Sequence, residues 1–157
     1  MAIFLSDAEI SKLLSERKIL PPDYRMQLKL KSKRGHDERE LEISGEEGSK
    51  YLLILRLSQI SVFDFSVILA YQVPKTNVLF RLRRYNGKSH EHTNKLEGQT
   101  FYDYHIHMAT ERYQQLGLRE DSYVEPTNRY SDLDGAIQCV LADCNFDVPP
   151  DPQLKLW

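Results

Sequence analysis

Four of the five histidines fall between positions 90 and 107, in two H-x-H pairs: His90-Glu91-His92 and His105-Ile106-His107. Arg81, Arg83, Arg84, Tyr85 and Lys88 precede them, and Thr110, Glu111 and Arg112 follow. Each residue type has a chemical use. Arginine offers a planar, permanently charged fork for phosphate or carboxylate. Histidine gives or takes a proton near neutrality, and a nearby aspartate fixes its tautomer. Tyrosine donates to phosphate or stacks on a base. Metal-free RNA cleavage needs this inventory: a base for the 2′-hydroxyl, an acid for the leaving oxygen and cations on the phosphorane.

Strand alternation assigns these groups to faces. Along Phe101–His107, period two puts Asp103, His105 and His107 on one side. Tyr102, Tyr104, Ile106 and Met108 fall on the more apolar side, expected to face the core. Along Val78–Tyr85, Val78, Phe80 and Leu82 read as inward, so Arg81, Arg83 and Tyr85 turn outward. If the two strands are neighbours, they build one open, cationic face. The expected catalytic set is His105, His107, Glu111 and Tyr85. The expected phosphate- or ligand-binding set is Arg81, Arg83, Arg84, Lys88, His90, His92 and Arg112.

Two other readings compete. Two H-x-H pairs could supply up to four imidazoles to a metal, and His105 with His107 share one strand face, a spacing that can serve zinc. The loop pair has no fixed relation to the strand pair, and no carboxylate or cysteine stands at a recognised ligand spacing, so no metal and no cofactor are expected. The plainer reading makes the histidines ordinary polar residues and pairs the arginines with local acids. G-x-x-x-x-G-K-[ST], G-x-G-x-x-G and G-x-S-x-G are all missing, which leaves nucleotide-dependent and serine-hydrolase chemistry unsupported. Cys139 and Cys144 form no C-x-x-C pair and are expected to be reduced, buried thiols.

The elements that must hold this site can be read from the whole chain. With 157 residues, 41% hydrophobic and 28% charged, it makes one ordinary core. A net charge of -2 gives no global positive field for nucleic acid, so any RNA contact has to use a local patch. Ser6 and Glu9 predict a capping box for a helix over about 7–18, stopped by Pro21-Pro22. Tyr24–Lys33 and Arg39–Ser44 alternate and predict a hairpin with a lysine stripe opposite a glutamate stripe. Apolar stretches 51–57 and 62–71 follow; a second hairpin pairs about 62–72 with 78–85 and ends at Asn86-Gly87, a dipeptide that readily takes positive φ. Residues 87–99 read as an exposed loop. A helix then runs to about Leu116 with Gly117 at its C-cap, and Ser131 caps a last helix carrying Leu133, Ala136, Ile137, Val140 and Leu141.

The expected fold is α+β: an antiparallel sheet of about five to six strands, with an N-terminal helix and two C-terminal helices packed on one face. It is one domain over 1–157, divided into an N-terminal helix and hairpin (1–50), core sheet and helices (51–148) and a tail (149–157) in which Trp157 packs on something. The N-terminus has no basic n-region and the apolar runs are too short to span a bilayer, so a cytoplasmic location with no membrane contact is expected.

The motifs FRLRRYNGKSHEHTN (Phe80–Asn94), FYDYHIHMATERY (Phe101–Tyr113) and NRYSDL (Asn128–Leu133) resemble an uncharacterised family of small bacterial proteins, over roughly Phe63 to Phe146. In layout the chain also looks like small toxin components of bacterial toxin–antitoxin pairs, which cut RNA. Those carry an Arg-Tyr-Asp/Asn strand end, a histidine and then a His-x-His strand. Arg84-Tyr85-Asn86, His90 and His105-x-His107 take the matching places; the longer polar loop, the added N-terminal region and the extra His-Glu-His depart from the pattern. The resemblance implies a metal-independent, toxin-like endoribonuclease acting on RNA or another anionic ligand. The alternatives are a non-catalytic partner protein (an antitoxin, an immunity factor or a phage-encoded inhibitor of a host defence component) or a nucleotide-binding sensor. Homodimerisation is left open.

Overall fold

Local signals set the first helix. In the computed structural model, which describes residues 3–88 and 91–149, α1 (Asp7–Ser15) opens on the expected capping box. The Glu9 amide donates to Ser6 Oγ at 3.1 Å, and the Ser6 amide donates to Glu9 Oε1 at 3.0 Å. The helix ends before the prolines because the chain turns at Glu16 into β1 (Lys18–Ile19). Lys18 is buried, and its ammonium donates to the carbonyls of Leu13, Leu14, Glu16 and Cys144 at 2.8–3.0 Å. It therefore closes the C-terminal end of α1 and ties it to the end of the last helix.

The first expected hairpin forms only at its tip, where Lys31–Ser32 pairs with Asp37–Glu38. Tyr24–Gln27 is a single helical turn, α2, and only Lys31–Ser32 pairs as a strand, β2. Tyr24 and Leu28, four apart, are both buried, while Met26 between them is 67% exposed. The apolar residues thus obey helical spacing, and four residues of apparent alternation were too few to tell the two periods apart.

Beyond this point β3 (His36–Gly45), β4 (Lys50–Ser58), β5 (Phe65–Gln72) and β6 (Leu79–Asn86) make a continuous antiparallel meander. Leu41 and Ile43 point inward and Glu40 and Glu42 outward, as alternation predicts. The expected loop over 87–99 instead contains β7 (His92–Asn94) and β8 (Gln99–Phe101), a small separate hairpin. Then come β9 (His105–Met108), α3 (Glu111–Gln115), β10 (Tyr123–Pro126), α4 (Leu133–Asp143) and β11 (Phe146–Asp147). Gly117 takes a φ of +75° just past α3, as its C-cap role requires. Asp132, one residue later than expected, caps α4 by accepting from the Gly135 amide at 2.7 Å.

The architecture corrects the expected one. Among the described residues the chain is mostly sheet: a large, curled nine-stranded sheet in the order β10-β9-β6-β5-β4-β3-β1-β11, with β2 also on β3, and four short helices. The extra strands are two to four residues long. They exist because a long meander offers edges to pair with, and no residue pattern of their own announces them. Asn94 closes one such edge. Its side chain donates to the Val124 carbonyl at 2.6 Å and accepts from the Val124 amide at 2.9 Å, so it occupies the open ladder positions of β10.

The core lies between the meander and α4, which packs on β5 and β6. Leu53, Leu55, Val67 and Leu69 are almost fully covered there. Both cysteines are free and buried, as expected. Among the described residues no helix is long and apolar enough to cross a membrane. His90 and Trp157 lie outside the described residues, as does all of the expected tail but Pro149.

Candidate functional site

The two site strands are neighbours: β6 and β9 pair antiparallel, with Arg84 opposite His107 and Asn86 opposite His105. The arginines, however, do not share one face. The β5–β6 register slips at Leu69/Ala70, where Ala70 pairs with Arg81, Leu69 pairs with Arg83 and Leu82 is the extra residue. A bulge of this kind inverts the alternation after it. Arg81 and Arg84 therefore come to one face, and Arg83 and Tyr85 to the other.

On the second face Tyr85 is fully buried beneath α4 and donates to Asp143 Oδ2 at 2.6 Å. Burial, with that bond, pushes its phenol far above the usual range. The Arg83 guanidinium lies 3.4 Å from the Tyr85 hydroxyl. Asp143 is held in turn by a two-pronged contact from Arg129 at 2.7 and 2.8 Å. This is a structural network, and it removes Tyr85 and Arg83 from the expected site.

The opposite face carries His105 and His107, and it is covered rather than open: they are 1% and 5% exposed. The β7–β8 hairpin brings His92 against them. Ring centres are 5.1 Å apart for His105–His107, 5.2 Å for His92–His107 and 6.0 Å for His92–His105. Phe101 packs on His92 and His105 at 6.0 and 6.3 Å. His92 is only partly buried, so it forms the rim of the cluster.

Two tautomers are fixed by backbone acceptors. His105 Nδ1 is 2.7 Å from the Asp103 carbonyl, and His107 Nδ1 is 2.8 Å from the Asp121 carbonyl. A carbonyl only accepts, so in both rings Nδ1 carries a proton, and wherever the ring is neutral Nε2 carries the lone pair. Burial, with the Arg84 guanidinium alongside, pushes His107 down to about 2, so it is neutral at physiological pH.

Beside the imidazoles lies a buried acid that sequence reasoning missed. Asp121 is 1% exposed, and Arg84 Nε, Arg81 Nε and Arg119 Nε stand 3.3, 3.6 and 3.8 Å from its carboxylate. Arg81 also reaches Glu120 at 3.2 Å. The arginines expected to be open phosphate forks are therefore partly engaged inside the protein. Nothing local marks Asp121; the one hint is a run of three charged residues, Arg119-Glu120-Asp121, ahead of an alternating segment.

The remaining expected residues lie apart from the cluster. Glu111 exchanges hydrogen bonds with Asp7, joining α3 to the start of α1, and Arg112 pairs with Glu97. The Lys88 ammonium lies over the rings of Tyr104 and Phe63, at 5.1 and 5.9 Å. Among the described residues no three His, Cys, Asp or Glu groups stand ready-made around a metal ion.

No protein-family model matches the chain, and neither a curated protein nor a solved structure matches it.

Proposed function

We propose that the chain is a phosphate-directed protein, an RNA-cleaving component of toxin type from a bacterial toxin–antitoxin or defence locus, with its centre at His92, His105 and His107. The observation that carries this reading is the gathering of three imidazoles within 5.1–6.0 Å of one another beside the Arg84 guanidinium. His105 Nε2 suits the base arm; His107, pushed down to about 2, is too weak a base near neutrality and suits a hydrogen-bond acceptor or ligand. Their fixed protons face carbonyls, so neither supplies the acid arm in this arrangement; that role falls to His92 at the rim or to a group brought in from outside. Arg84 and the more exposed Arg119 provide positive charge for a phosphate. The test is purified protein incubated with labelled RNA. Cleavage is expected from the native chain and is lost in a His105→Ala, His107→Ala double variant that still folds. Cleavage that survives the double substitution removes the reading.

A second reading is supported by the β4–β5 turn. Ile60 is 94% exposed and Val62 71%, and half-exposed Phe63 follows. Such a tip suits a non-catalytic partner protein that docks on a defence component. Expression in a naive host separates the two: growth arrest favours the toxin, and unimpaired growth favours the docking protein.

A further inference from the structure

We propose that His92, His105 and His107 are the protein ligands of one divalent transition-metal ion of zinc type, with a fourth position left for an exchangeable oxygen. The proposal rests on the histidine cluster being the functional centre, and it does not require RNA to be the substrate.

Geometry carries it. Three imidazoles on one tetrahedral ion, with Zn–N of about 2.0–2.1 Å, put their ring centres roughly 5 Å apart. Two sides of the observed triangle are 5.1 and 5.2 Å, and the third, between His92 and His105, is 6.0 Å. Only that third side has to shorten, and His92 sits on a two-stranded hairpin that pairs with no strand of the main sheet and is held to β10 through Asn94. The His92 and His105 planes lie at 23° to one another, so coordination also requires the His92 ring to turn.

The surroundings are those of an imidazole metal site. His105 and His107 each give Nδ1–H to a backbone carbonyl, the outer contact that orients a ligating histidine, so Nε2 is the nitrogen that would bind the ion. An all-imidazole set selects zinc, nickel or copper over magnesium or calcium, which want oxygen. The Arg84 guanidinium beside the ion is faced by the buried Asp121 carboxylate, 3.3 Å from its Nε, which it shares with Arg81 and Arg119. A bound ion would also supply the electrophile that two fixed tautomers do not.

The full chain is stripped with a chelator and titrated with Zn²⁺ in competition with a chromophoric chelator, and Co²⁺ is used in parallel for its tetrahedral absorption bands. The expected result is one ion per chain and a tetrahedral cobalt spectrum. His92→Ala, at the rim and therefore the variant safest to fold, weakens binding by more than the roughly 10–100-fold that loss of an outer-shell partner costs. His36→Ala, remote from the cluster, leaves it unchanged. Absence of stoichiometric binding, or binding that His92→Ala does not weaken, overturns the proposal. An RNA assay on stripped and loaded protein keeps the two readings apart. RNA cleavage without zinc binding sinks the metal site alone, and zinc binding without RNA cleavage sinks the RNA reading alone.

Discussion

Arg84 and His107 face each other across the β6–β9 ladder, and one Arg84 guanidinium nitrogen lies 3.3 Å from His107 Nδ1 and 3.4 Å from Nε2. Since Nδ1–H already points at the Asp121 carbonyl, the contact is with the ring as a whole rather than a directed hydrogen bond. The same Asp121 balances the charge of Arg84 through its carboxylate. One residue thus fixes both the tautomer and the cation beside it.

Asp121→Ala should therefore be among the most damaging single changes. It strands the largely covered Arg84 guanidinium, and removing one partner of a buried pair costs about 3–5 kcal/mol. With Arg81 and Arg119 partly in water, the low end is expected. Urea unfolding of the variant against the native chain measures it; a loss under about 1 kcal/mol, the value of an exposed pair, would contradict the network.

Tyr85→Phe separates the two faces of the sheet. The lost hydroxyl leaves Asp143 short of one donor, at a cost of about 1–3 kcal/mol. RNA cleavage or zinc binding at the histidines should be unchanged, because Tyr85 lies on the other face. A variant of native stability with lost activity would return Tyr85 to the site.

The reach of the sequence can be judged from these residues. The capping box of α1, the β5–β6 hairpin and the sharing of one face by His105 and His107 were legible, because each is set by neighbours a few positions away; that this face is covered was not. Tyr85 and Arg83 were misplaced because one extra residue, Leu82, inverts the alternation. Nothing in Phe80–Tyr85 marks the extra residue; it appears only against the partner strand. His92 was read as a loop residue because its place depends on a hairpin whose strands are three residues each. Asp121 is an ordinary loop acid until the fold closes over it.

Gly87→Ala should destabilise the chain by about 2 kcal/mol or more, in the range of a backbone-level clash. Gly87 was expected to serve a positive φ, but its role is close approach: an added Cβ would stand 1.9 Å from the Phe63 carbonyl oxygen. The Gly87 amide donates to the Phe65 carbonyl at 2.9 Å, so the same change loosens the root of the segment that carries His92. Gly98→Ala, with open space around it but a φ of +72°, should cost only the smaller strain of that backbone. Equal thermal shifts for the two variants would contradict the packing.

Acid should weaken the α4 attachment through Asp143. Burial raises its carboxyl, but hydrogen bonds from Arg129 and Tyr85 outweigh this and hold it below the usual 3.8. A depressed carboxylate stabilises fully above its unfolded value and loses that contribution as pH falls through the lower folded value. Stability from this group is therefore complete above pH 3.8 and lost below it, and Asp143→Asn should flatten that limb. Parallel stability–pH curves for the variant and the native chain below pH 4 would rule this out.

The most direct measurement is long-range nitrogen–proton NMR of the imidazoles at neutral pH in metal-free protein, with through-space contacts between the rings. The expected spectrum has Nδ1–H on both His105 and His107, with His107 neutral, and ring-proton contacts joining His92, His105 and His107. Nε2–H tautomers for the two strand histidines, or a His92 ring with no contact to either, would contradict the three-imidazole centre.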